Sequence, residues 1–184
     1  MRVLFLAALL TAATALVAQD AVKVVKQSAP EKALVFEAII PAPRAAVWRA
    51  FTTSKGLSTW LTPGAVVDLR KGGEWTAHFP AGKTGGGTIV SFAPEKELVV
   101  SAMAPEQFPT VRAQRTIAKF QFIPTDDGFT LVRLVQTGWQ AGPEWDKAYD
   151  YLAQGNAQLL ETLRRRFVDG PIDWKKEWGS GSSN

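Results

Sequence analysis

Cysteine is missing from all 184 residues. Its absence excludes disulfides, a lipid-modified N-terminal cysteine, a thiol nucleophile and every thiolate metal site. Histidine occurs once, at His78, so histidine metal clusters and histidine-pair acid/base schemes are also excluded. Concentrated basic charge is scarce. Net charge is +4, yet the longest run of Lys or Arg is Arg164-Arg165-Arg166, and a nucleic-acid footprint needs clustered basic residues. No nucleic acid is expected as a partner. Apolar residues make up 46% and charged residues 21%, which excludes a disordered chain and supports one domain with a sizeable core.

Several catalytic motifs are missing too. No Gly-x-Ser-x-Gly elbow occurs, and Ser54 and Ser58 have no partner pattern. Gly85-Gly86-Gly87 is followed by Thr88 and a strand pattern rather than by the Lys and helix of a phosphate loop. Asp126-Asp127-Gly128 lacks the remaining ligand spacing of a calcium loop and reads as a hairpin turn. No cofactor or metal is implied. His78 alternates with Trp75, Ala77 and Phe79, which places it on the solvent face of a strand.

What is present begins with a targeting segment. Met1-Arg2 is followed by Val3-Leu4-Phe5-Leu6-Ala7-Ala8-Leu9-Leu10 and further small and apolar residues up to Ala18, then by polar Gln19-Asp20. A basic start, an apolar run and small residues before a cut describe a secretory signal peptide. Cleavage is expected after Ala18, with Ala15 the alternative, and the product is expected to be periplasmic or secreted. An uncleaved anchor is the rival reading, but the run is short for a membrane span. No stable span is expected after cleavage.

The chain then divides into a linker at 19–31, a domain at 32–170 and a tail at 171–184. Ala33-Leu34-Val35-Phe36-Glu37-Ala38-Ile39-Ile40 reads as a strand halted by Pro41 and Pro43. Pro43 opens a helix carrying Val47, Trp48 and Phe51, and Ser54 is expected to cap a second, short helix with Leu57, Trp60 and Leu61 on one side. From 65 to 137 strands alternate with turns: 65–69, 75–79, 88–92, 98–100, 115–123 and 129–137. A hairpin loop is expected at 82–87 and a longer loop at 104–111.

The last long pattern, 138–167, organises the rest. After Gly142-Pro143, apolar residues recur at Trp145, Tyr149, Leu152, Leu159, Leu160, Leu163 and Phe167 with helix periodicity. Glu144 and Asp146 suit the positive end of the helix dipole, and the three arginines suit the other end before Gly170-Pro171. In the middle the inward stripe passes through Gly155-Asn156. Two readings fit: a gap between the helix and whatever it covers, or close backbone packing at Gly155 with Asn156 in solvent. Strand, two helices, about six strands and one long helix make an α+β fold. A grip is expected, with a curved antiparallel sheet of about six or seven strands wrapped around the C-terminal helix.

Local signatures agree with a known family. They are Pro43-Arg44-Ala45-Ala46-Val47-Trp48-Arg49-Ala50-Phe51-Thr52, Ser54-Lys55-Gly56-Leu57-Ser58-Thr59-Trp60-Leu61 and Lys71-Gly72-Gly73-Glu74-Trp75, followed by the strand into Gly138-Trp139 and the helix from Glu144-Trp145. In that order they resemble the START-like helix-grip superfamily (SRPBCC), which includes START domains, the birch-pollen allergen fold and polyketide cyclases. Within it they are most similar to the branch named after the activator of the Hsp90 ATPase, C-terminal domain. Members of that branch often carry a histidine late in the last strand, where this chain has Gln136, and a tryptophan in the final helix, where it has Asn156. Export would keep the protein from a cytosolic chaperone, so a co-chaperone role is discounted.

The remaining chemistry is apolar and aromatic. Trp60, Trp75, Phe79, Phe120, Phe122, Trp139 and Trp145 either fill a closed core or line a cavity. Val132, Leu134 and Gln136 share one strand face. The expected ligand site joins Trp60, Trp75, Phe79, Phe120, Phe122, Val132, Leu134, Trp139 and Leu152 with the polar groups of Gln136, Tyr149 and Asn156. The leading expectation is an exported, non-catalytic domain that binds a small hydrophobic or aromatic molecule. The alternatives are a cyclase-, hydrolase- or lyase-type enzyme using Tyr149, Tyr151 or Arg115, and an interaction module presenting Trp174 and Trp178. The end of the tail, Gly179-Ser180-Gly181-Ser182-Ser183-Asn184, reads as a flexible stretch.

Overall fold

The computed structural model describes residues 22–179. The expected signal peptide and residues 180–184 lie outside the described residues.

The elements follow as β1 Lys23–Gln27, β2 Ala33–Ile40, α1 Arg44–Thr52, α2 Ser54–Leu57, β3 Gly64–Val67, β4 Glu74–His78, β5 Thr84–Ala93 and β6 Glu97–Met103. Then come α3 Pro109–Gln114, β7 Thr116–Pro124, β8 Thr130–Thr137, α4 Pro143–Asp169 and α5 Trp174–Gly179. All strands join one eight-stranded antiparallel sheet in the order β1-β2-β8-β7-β6-β5-β4-β3. The sheet curves without closing, and α4, 27 residues and about 40 Å long, lies in its grip. The helix-grip architecture is therefore present.

Four local expectations are corrected. The segment at 19–31 read as a linker contains β1, an edge strand whose Lys23, Val24 and Val25 are exposed. With little to bury, it has no apolar alternation to read. The 82–87 segment read as a hairpin loop runs into the sheet: β5 starts at Thr84, and its glycines pair with β4. Their bareness is imposed by crowding. A Cβ on Gly86 would come 2.2 Å from the Trp75 carbonyl oxygen, and one on Gly87 2.0 Å from that of Ser101. The loop at 104–111 ends in α3, opened by Pro109 and anchored by buried Val111. Finally, Thr53 rather than Ser54 caps α2, accepting from the Gly56 amide at 2.9 Å. The Ser54 hydroxyl instead accepts from Val67 in β3, also at 2.9 Å.

Packing is uneven along the sheet's inner face, and that unevenness makes the site. Beneath α1 the inward residues are large. Phe51 stands 5.0 to 5.1 Å from the rings of Trp60, Phe120 and Phe122, and Trp48 meets Phe122 edge-on at 5.4 Å. The indoles of Trp60 and Trp75 donate to the carbonyls of Ala50 (2.9 Å) and Phe51 (2.8 Å) at the end of α1. Here the core is closed, as aromatic packing favours. Toward the other end the inward positions shrink to Ala77, Gly85, Ala102 and Ala118, brought together by the pairings Ala77↔Gly85 and Val100↔Ala118 and by Ala102 opposite Gly87.

The long helix covers the β1–β2 side. Tyr149, Ala153, Leu160 and Leu163 are its buried residues there. Tyr149 donates its hydroxyl to the Ala33 carbonyl at 2.8 Å, and Lys26 and Lys32 reach Asp150 and Asp146 at 2.7 and 2.8 Å. The tail folds back: the Trp174 indole donates to the Ser58 carbonyl at 2.7 Å, and the Ile172 amide to that of Thr59 at 2.9 Å.

Candidate functional site

Where the small residues of the sheet face the middle of α4, a cavity of about 350 Å³ opens. Its walls come from β4–β8, from the 105–107 segment and from the α4 residues Leu152, Gly155, Asn156 and Leu159. Two things keep it from filling. The sheet offers methyl groups or hydrogens where the other end offers rings, and Gly155 has nothing within 4 Å of where a Cβ would stand. Of the two readings of the Gly155-Asn156 break, the gap is the one the structure contains.

The rim is held firmly. Arg112 of α3 donates to the Ala104 carbonyl at 2.6 Å and to the Thr84 hydroxyl at 2.8 Å, stapling the 104–108 segment to the start of β5. Glu144 accepts from the Thr110 and Val111 amides at 2.7 and 3.1 Å, fixing α3 to the start of α4. Such bonds satisfy helix-end N–H groups that otherwise have no partner.

Three neutral side chains form a hydrogen-bonded line that starts at Asn156 and Gln136 in the cavity lining and ends at Thr116 behind it. Asn156 donates through Nδ2 to Gln136 Oε1 at 2.7 Å, and Gln136 donates through Nε2 to Thr116 Oγ1, also at 2.7 Å. Gln136 and Thr116 are only 3% and 2% exposed. The Trp139 indole, by donating to the Gln136 carbonyl at 3.0 Å, holds the backbone beneath the line. Buried amides without partners cost about 1–3 kcal/mol each, so the line is stable only as a unit. Among the described residues, charge touches the cavity only at exposed Lys83 and Glu106.

The groups whose titration the fold shifts lie elsewhere. Asp127 is held low by the Thr125 hydroxyl, and Arg164 is raised by its hydrogen bonds to Glu161. Burial raises the Tyr149 phenol, against the pull of Lys32 and Lys26. Desolvation, the largest single influence on Glu144, would raise its carboxyl, but the hydrogen bonds from Thr110 and Val111 together outweigh it and hold the group low. Among the described residues, no group of three or more His, Asp or Glu side chains is placed to hold a metal ion.

Seven of the twelve residues expected at a ligand site line the cavity: Trp75, Phe79, Phe120, Leu134, Gln136, Leu152 and Asn156. Five do not. Trp60, Phe122 and Val132 belong to the closed core beneath α1. Trp139 packs edge-on against Trp145 and Tyr149, and Tyr149 points to the β1–β2 turn. Of the groups weighed for catalysis, Tyr151 lines the rim while Tyr149 and Arg115 do not line the cavity. Missed were the small residues Ala77, Gly85, Ala102 and Ala118. Each stands in a legible strand, but only the pairing register shows that they face one space.

An α+β sheet gripping one long helix around an apolar cavity defines a helix-grip domain. The chain belongs to the family described as activator of Hsp90 ATPase homolog 1-like protein, which matches residues 41–167. No curated protein matches it in sequence. Among solved structures, a protein from Mesorhizobium loti superposes with a TM-score of 0.64 at 23% identity, covering 77% of this chain and 100% of its own. The Aha1 dimer from Colwellia psychrerythraea gives 0.61 at 19% identity, with 75% and 97% covered. CalU16 from Micromonospora echinospora gives 0.59 at 17%, with 86% and 91% covered. These likenesses establish the fold. Among the described residues no helix is long and apolar enough to cross a membrane.

Proposed function

We propose that this domain binds a small apolar or aromatic molecule in the cavity between β4–β8 and α4, and that it does so after export from the cytoplasm. The observation that carries the binding reading is the cavity itself. Its volume of about 350 Å³ falls in the roughly 300–1,000 Å³ range of ligand pockets, with apolar walls and a few converging polar groups. Aromatic Trp75 and Phe120 continue from the closed core into its wall, so a flat ligand would meet ring surfaces that are already fixed. The export reading rests on the composition of residues 1–18. The interaction-module alternative retains Trp178, which is exposed, whereas Trp174 is half-buried and donates its indole N–H to the Ser58 carbonyl.

Native mass spectrometry of the protein from its own host, before and after denaturation, tests binding together with titration of tryptophan emission by naphthalene. A co-purifying small molecule or saturable quenching supports the reading. Gly85→Leu supplies the control: its Cβ would stand 3.4 Å from the Phe79 ring, in ordinary contact, and its side chain would enter the cavity. Quenching that survives Gly85→Leu unchanged, or no saturable quenching at all, overturns the proposal. For export, N-terminal sequencing of the mature chain should begin at Gln19, and a chain retaining Met1 overturns that part.

A further inference from the structure

The floor of the cavity carries information beyond its shape. Asn156 uses one amide atom on Gln136, and its other amide atom has no protein partner among the described residues. Among the described residues the buried side-chain nitrogens and oxygens lacking a partner are Arg115 Nη1 and Arg133 Nε, so the free atom of Asn156 is reachable from outside. In the observed sense that atom is Oδ1, an acceptor.

The line also works in reverse. A side-chain amide is close to symmetric in shape, and a hydroxyl both donates and accepts. Turning both amides over by 180° keeps every heavy atom in place. Thr116 then donates to Gln136, Gln136 donates to Asn156, and Asn156 presents Nδ2, a donor, to the cavity. A charged floor could not do this, since a carboxylate only accepts and an ammonium only donates.

We infer that the Thr116–Gln136–Asn156 line is a reversible polar reader that selects uncharged ligands bearing one hydrogen-bonding group, accepting donors and acceptors alike and rejecting anions. This rests on the binding reading above and narrows it. Rejection of anions follows from the lining: an ion drawn to Asn156 and Gln136 would leave water for neutral amides and apolar walls, since among the described residues Lys83 and Glu106 are the only charged members of the lining. The ligand class is a small fused-ring aromatic with a single hydroxyl or carbonyl at its leading end.

Four probes at neutral pH test it with the full-length protein: naphthalene, 2-naphthol as a donor, 2-acetylnaphthalene as an acceptor and 2-naphthoate as an anion. The two neutral polar probes are expected to bind about three- to tenfold tighter than naphthalene, the gain of one hydrogen bond, and the anion more weakly than either. Asn156→Leu should erase the gain for both while naphthalene still binds. Asn156→Asp keeps an acceptor for Gln136 Nε2 in the reversed sense but leaves only an acceptor facing the cavity, so it should retain the gain for 2-naphthol and lose it for 2-acetylnaphthalene. If all four probes bind wild type alike, or Asn156→Asp treats donor and acceptor probes the same, the reader is refuted while the binding function stands. If none binds, the binding function itself falls.

Discussion

Asn156, in the middle of α4, donates to Gln136, near the end of β8, across 2.7 Å. This bond is the polar tie between helix and sheet beside a space that neither fills. Asn156→Leu should destabilise the protein by about 1–3 kcal/mol, because it strips the partner from a buried amide oxygen. Gln136→Leu should cost a similar amount by orphaning Thr116. The double variant should lose clearly less than the sum of the two, and urea melts of all four proteins measure the coupling.

Tyr149 serves the fold rather than the cavity. Tyr149→Phe removes the bond to the Ala33 carbonyl and should cost about 1 kcal/mol, with probe affinity unchanged. Its phenol titrates above the ordinary 10.0, first because burial disfavours the anion. The fold thus favours the protonated form, and that contribution is present below about pH 10 and lost as pH rises through the raised value. Ultraviolet absorbance titration in a Tyr151→Phe background reads the midpoint.

Glycines at two positions should respond oppositely. Gly155→Ala should raise stability by about 0.5–1 kcal/mol, since it improves helix propensity and meets nothing within 4 Å. Gly86→Ala should lower it by about 2 kcal/mol or more, because φ is +97° and the new Cβ would strike the Trp75 carbonyl. Thermal melts of the two variants separate an open glycine from an obligatory one.

Acid should release the rim before the core. The Glu144 carboxyl titrates below its ordinary 4.5, so its hold on α3 is present above that value and lost as pH falls through the lower one. Protection of the Thr110 and Val111 amides, their exchange rate relative to the unfolded-chain rate at the same pH, should be high at neutral pH and fall in acid. Glu144→Ala should make it low at every pH, and unchanged protection in that variant would mean α3 is held by other contacts.

Local patterns in the chain were enough to define most elements. Ala33 to Ile40 follows from its apolar run and the prolines that halt it, and the helix opened by Pro143 and the alternation at Val132, Leu134 and Gln136 follow from period, because those two segments bury one face. β1 escaped notice because an exposed edge strand needs no pattern, and β5 because its glycines mimic a turn while being demanded by neighbours that are distant in sequence.

By itself, the sequence determined the helix-grip class, the break at Gly155-Asn156 and the uncharged character of the residues around it. Those are properties of single segments. Which aromatics close the core and which line a cavity was decided only in three dimensions. Trp60 and Phe122 gather beneath α1, whereas Ala77, Gly85, Ala102 and Ala118, from four strands, meet through hydrogen-bonded register. A void is a relation among residues that do not touch, and no local pattern encodes it.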